Sequence, residues 1–131
     1  VIVVDSVGWL AYFTGDPLAA AYRAYLHALD DLLTPSIIIY EVTKKIELQI
    51  DRQAAGLAAA QLLKTRMIPL DEALATAAAR TSIAYKLPMA DAIIYTTAQV
   101  HHARLITSDV HLKDLPGVEF IPHPNVATGS K

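Results

Sequence analysis

Four acids stand where an apolar stretch has just ended or begun: Asp5, Glu41, Asp91 and Asp109. Asp5 closes the run Val1-Ile2-Val3-Val4, and Asp109 comes two residues after Leu105-Ile106-Thr107. Glu41 lies within Ile37-Ile38-Ile39-Tyr40-Glu41-Val42, and Asp91 within Met89-Ala90-Asp91-Ala92-Ile93-Ile94. An ionised carboxylate among apolar side chains is costly unless it is paired or holds a metal. Each acid alone has an ordinary reading. Asp5 and Asp91 can cap helices, and Glu41 can pair with Lys44 three residues on, which is worth only a few tenths of a kcal/mol. Taken together, four acids from four distant segments point to one shared cation site, because like charges at close range raise each other's pKa.

A hard, all-oxygen donor set with no cysteine in the chain suits Mg²⁺ or Mn²⁺ better than zinc. The chemistry that follows is phosphodiester hydrolysis. No glycine-rich phosphate loop is present, so nucleoside triphosphate chemistry lacks its cradle. Among other candidates, His101 and His102 are adjacent and diverge on a helix, which makes poor chelate geometry. His111 is read as a surface histidine, with substrate contact the lesser alternative. Lys44 has two readings, orienting Glu41 or meeting a phosphate. Tyr12, Phe13, Tyr22, Tyr25 and Tyr40 recur at helical spacings and read as core or interface.

The elements that must position these acids alternate between strand and helix. Val1–Val4 is a β-branched run of the kind buried on both sheet faces. A short helix over Ser6–Phe13 ends near Gly15. Asp16-Pro17 opens a second helix, through Tyr22, Tyr25, Leu26 and Leu29. Leu32–Thr34 is a strand stopped by Pro35; Ser36 caps a helix to about Ile50, and another runs from Ala54 to Lys64. Met67–Leu70 is an edge strand. Asp71 caps a helix to about Tyr85, and beyond Leu87-Pro88 a further helix carries Asp91 through His101. Leu105–Thr107 is a central strand, a helical turn covers Val110–Leu115, and Val118–Ile121 is the last strand. Alternation of this kind gives an α/β fold with a mostly parallel sheet of four to five strands and helices on both faces. Ligands bind such sheets at the carboxyl ends of the strands, where Asp5 and Asp109 fall. The expected organisation is one domain over residues 1–122 and a flexible tail over 123–131.

The 131 residues are 53% hydrophobic with a formal charge of -2 and a mean hydropathy of +0.33. The apolar excess is not a membrane span, since charged residues interrupt each helical stretch. It is better suited to an interface with a second copy or another chain. The charge leaves no global footprint for nucleic acid, so such binding would rest on a local patch. No secretory pattern opens the sequence, and the cytoplasm is the expected location.

Val3-Val4-Asp5-Ser6, Glu41-Val42-Thr43-Lys44, Ala90-Asp91-Ala92-Ile93-Ile94 and Leu105-Ile106-Thr107-Ser108-Asp109 follow one another in an order and spacing that resemble a PIN-domain ribonuclease of the VapC toxin branch. The resemblance implies a PIN-like three-layer fold, with Asp5, Glu41, Asp91 and Asp109 as the acidic metal site. It makes Thr107 the hydroxyl beside that site and Ser6 the small polar residue after the first acid. It further implies RNA cleavage with Mg²⁺ or Mn²⁺, a homodimer, and silencing by an antitoxin whose tail lies in a groove near the site. One departure is His111-Leu112, where the family often has an aromatic residue. The competing readings are a housekeeping RNA-processing nuclease with no antitoxin and a catalytically silent binding module. A phosphorylated receiver would need paired acids after the first strand, and a haloacid dehalogenase-type phosphatase would need a second Asp where Val7 stands.

Overall fold

A computed structural model describes residues 1–124, so the expected tail lies outside the described residues except for His123 and Pro124. Five strands alternate with six helices: β1 (Ile2–Val4), α1 (Ser6–Thr14), α2 (Ala19–Leu26), β2 (Leu33–Pro35), α3 (Ser36–Gln49), α4 (Arg52–Leu62), β3 (Arg66–Ile68), α5 (Glu72–Tyr85), α6 (Met89–Val100), β4 (Arg104–Thr107) and β5 (Val118–Phe120). Every pairing is parallel. β4 lies between β1 and β5, β2 pairs with β3, and a single bridge from Ile2 to Leu32 joins the two groups. The resulting order is β3-β2-β1-β4-β5, with β3 at the edge and the Leu105–Thr107 strand central, as the sequence leads one to expect.

The core follows from the apolar patterning. All three residues of β1 are buried, and Leu105, Ile106 and Thr107 are closed off beside them. In α6 every residue from Ala92 to Ala98 is buried, the condition of a helix covered on all sides. Gly8 in α1 permits the close approach of α2: a Cβ there would collide with the Tyr22 ring. Gly15 ends α1 in the left-handed conformation, at φ 71°, which costs glycine little. No helix among the described residues is long and apolar enough to cross a membrane.

Several boundaries differ from expectation for local reasons. The Asp16 carboxylate accepts from the Leu18 backbone N–H at 2.9 Å, which holds a single turn; the helix proper starts at Ala19 and stops at Leu26, leaving Leu29–Asp31 as a separate 3₁₀ turn. Ser36 does not cap α3. Pro35 occupies the cap position, and no side chain closes that end. α4 begins at Arg52, two residues early, because Asp51 accepts from Ala54 N–H at 2.8 Å. β3 covers Arg66–Ile68, one residue earlier than expected, and excludes Pro69.

Candidate acidic metal site

The parallel pairing of β1 with β4 sets Val4 opposite Ile106, so the chain leaves both strands at the same end of the sheet. Asp5 N–H still donates to Ile106 carbonyl at 3.0 Å. One residue further along β4, the Thr107 hydroxyl donates to Asp5 Oδ2 at 2.6 Å and accepts from Asp109 N–H at 3.0 Å. Asp5 Oδ1 accepts from Ser6 N–H at 2.7 Å, which makes Asp5 the cap of α1 as well. The cap and site readings of this residue are therefore compatible. Thr107 is fully buried and Asp5 only 4% exposed, so this arrangement is fixed from within. Ser108 is tied down by Tyr22, hydroxyl to hydroxyl at 2.7 Å.

Two helices bring the remaining acids. Asp91 is the third residue of α6, whose cap position is taken by Pro88 with no side-chain cap; its carboxylate is thus not spent on the helix end. Glu41 is the sixth residue of α3, the helix that packs against both α1 and α6. Its Oε1 is buried without a hydrogen-bond partner, an uncommon state for a carboxylate oxygen.

The electrostatics reveal the convergence. Burial is the main cause that lifts the Asp5 carboxyl above its usual range, with the bonds from Thr107 and Ser6 opposing it and the charge of Asp109 adding to it. Glu41 is raised first by burial and further by Asp5 and Asp109; the Ser6 hydroxyl and the Lys45 charge work in the other direction. Asp91 is pushed from 3.8 to about 7 by burial, by a hydrogen bond shared with Asp109, and by the charges of Asp109, Asp5 and Glu41. Asp5, Glu41 and Asp91 thus each feel the charge of Asp109, and the donor atoms the fold brings within 4.8 Å of one another are those of Asp91, Asp109 and His111. A divalent cation fits this donor set: it would satisfy the orphaned Glu41 oxygen and offset the mutual repulsion.

Of the two basic candidates, His111 is the surface histidine expected, 61% exposed, whereas Lys44 makes no contact that would orient Glu41. Lys44 lies 3.3 Å from the Tyr40 hydroxyl, with its Nζ 5.4 Å from that ring's centroid, and the cation that acts on Glu41 is Lys45. Tyr40 is 60% exposed and lines a groove of about 240 Å³ with Ser6, Leu10, Glu41, Lys44, Lys45 and Leu48. Tyr40 is therefore not core. His111 is the residue that sequence reasoning undervalued. Its Nδ1 lies 3.0 Å from Asp109 Oδ1 and 3.6 Å from Asp91 Oδ2. The available signal was its place two residues after Asp109, within reach of a tight turn.

Comparison with known proteins agrees with this geometry. The PIN domain family profile matches residues 2–118; no curated protein sequence gives a match. A toxin–antitoxin complex from Klebsiella pneumoniae contains a chain 25% identical, with a TM-score of 0.76, over 91% of this chain and 96% of that one. VapC20 of Mycobacterium tuberculosis, a sarcin–ricin loop cleaving toxin, shares the fold at TM-score 0.72 and 18% identity, covering 98% of this chain and 95% of its own. A chain of VapBC2 from Rickettsia felis, solved with a DNA fragment from the promoter, does so at 0.70 and 11%, over 92% and 97%. The all-parallel sheet, the strand-end acids and the extent of the match leave one conclusion: the chain belongs to the PIN domain family, with VapC-type toxins among its structural relatives.

Proposed function

We propose that the protein is a Mg²⁺- or Mn²⁺-dependent endoribonuclease acting as the toxin of a type II toxin–antitoxin pair. The observation that supports this reading is that the carboxyls of Asp5, Glu41 and Asp91, from three separate elements, are all raised by burial and then by the charge of Asp109. These four side chains would hold the ion. Once bound, it supplies Lewis acidity to an RNA phosphodiester and to the attacking water.

The chain's own residues prepare that event. Thr107 and Ser6 N–H lock both oxygens of Asp5, so the first carboxylate is oriented before any ligand arrives, and little reorganisation remains to be done. Asp91, near pH 7 in the absence of a cation, gives up its proton when positive charge enters. In-line hydrolysis would leave a 5′-phosphate and a 3′-hydroxyl. The groove lined by Tyr40, Lys44 and Lys45 beside Glu41 offers an aromatic face and two ammonium groups to an RNA strand despite the negative net charge.

The antitoxin belongs to the same reading. Its support is the Klebsiella complex together with an apolar groove of about 260 Å³ between α1, α3 and α4, lined by Tyr12, Phe13, Ile46, Ile50 and Leu57 among others. Exposed Ile83, Met89 and Val110 supply apolar surface for a homodimer, and the cytoplasm is where such a toxin meets RNA. The test is cleavage of a structured RNA pool by antitoxin-free protein with Mn²⁺, with Mg²⁺ and with EDTA. Metal-dependent cuts with 5′-phosphate ends are expected, and cuts that persist in EDTA would refute the assignment.

A further inference from the structure

His111 differs from Asp91 and Asp109 in chemistry but not in place. Single donor atoms of Asp91, Asp109 and His111 all lie within 4.8 Å of one another. The ring is steered there by the backbone: Asp109 Oδ1 accepts His111 N–H at 2.9 Å within the 3₁₀ turn Val110–Leu112, and Leu112, fully buried, anchors that turn in the core. Nδ1 and Asp109 Oδ1 are 3.0 Å apart. Neighbouring ligands of a six-coordinate ion with bonds of about 2.1 Å stand about 3.0 Å apart, so both atoms can face one ion without rearrangement.

We infer that His111 is a nitrogen ligand of the cation held by Asp91 and Asp109, and that the protein prefers Mn²⁺ to Mg²⁺ for that reason. The inference rests on the carboxylate site proposed above and narrows it. An all-oxygen set leaves the two ions nearly equal. One imidazole breaks the tie, because nitrogen donors favour transition ions whereas Mg²⁺ holds to oxygen and water. A neutral ring also adds a ligand without adding to a site where four carboxylates already repel one another. The tautomer required carries its proton on Nε2 and presents the Nδ1 lone pair.

Pulsed electron paramagnetic resonance on the Mn²⁺-loaded full chain reads the ligand atoms directly, independently of activity. Nitrogen-14 coupling is expected in the wild-type protein and is expected to vanish in His111→Asp, which returns an oxygen to the site and keeps Mn²⁺ bound. The ring is 61% exposed, so the exchange leaves packing untouched. Calorimetry of the same pair should show the Mn²⁺-to-Mg²⁺ affinity ratio falling by at least about tenfold in the variant, given that even outer partners of metal ligands are worth ~10–100-fold. An oxygen-only spectrum from Mn²⁺-bound wild-type protein, or a nitrogen signal that survives His111→Asp, would overturn the role of His111 and leave the carboxylate site standing. Failure of the wild-type protein to bind Mn²⁺ at all would overturn both.

Discussion

Removing the Asp91 charge should stabilise the cation-free protein by an amount that grows as pH rises from about 4 to about 7 and is level above that. The folded state holds this carboxyl at about 7, against 3.8 when free, so between those values the native chain keeps a proton that the unfolded chain has released. The stability this contributes is complete below about pH 4 and is lost as pH rises through about 7. At ~1.4 kcal/mol per pH unit, ionising Asp91 in place costs about 4 kcal/mol, or roughly 2–4 once partial solvent access is allowed for. In Asp91→Asn that cost is absent. For a domain of this size roughly 3–4 °C follows each kcal/mol. The variant should therefore melt roughly 6–15 °C above wild type at pH 8 in EDTA, and within about 2 °C of it at pH 4. Circular dichroism melts at the two pH values read the difference. A variant less stable at both, or a gap indifferent to pH, would refute the account of charge crowding at this site. Adding Mn²⁺ at pH 8 should raise the wild-type melting temperature and leave the variant's almost unmoved.

Other substitutions probe the supports of the site. Thr107→Val leaves Asp5 Oδ2 and Asp109 N–H without their shared partner and should cost about 1–3 kcal/mol in urea unfolding, with cleavage falling in parallel; a loss under ~0.5 kcal/mol would show that the hydroxyl does not organise the acids. Gly8→Ala drives a methyl group into the Tyr22 ring and should destabilise by about 1–3 kcal/mol through overpacking, so an unchanged denaturation midpoint would contradict the close packing of α1 on α2. Asp5→Asn should abolish cleavage while the fold persists, since it removes charge and almost no volume; unaltered nuclease activity in that variant would remove Asp5 from the site.

Much of this architecture could be read from residue patterning. The β-branched run Val1–Val4 and the apolar stretch in α6 are long enough that burial is their only stable outcome, and parallel order follows from alternation of strand and helix. Boundaries were harder because they depend on single hydrogen bonds. Asp16 serves a turn instead of a helix, and Pro35 takes the position that Ser36 was expected to fill. The strand-end acids were legible because each interrupts an apolar run. Their convergence was an inference from charge cost, and the fold now supplies the register that carries Asp5 and Thr107 side by side. Lys45 and His111 were hidden for a common reason. Which of two adjacent lysines on α3 acts on Glu41, and whether a ring two residues from an acid turns back toward it, depend on helix phase and turn geometry that the spacing of residue types does not encode.

Carboxylates from four distant segments that share one ion must each contribute to its affinity. Calorimetric titration of Mn²⁺ into the wild-type protein at pH 7.5, beside Asp5→Asn, Glu41→Gln, Asp91→Asn and Asp109→Asn, tests this most directly. Saturable binding by the wild-type chain is expected, with a loss of at least about tenfold in affinity from each of the four changes. Binding that survives all four at wild-type strength, or no binding by the wild-type chain, would contradict a shared ion.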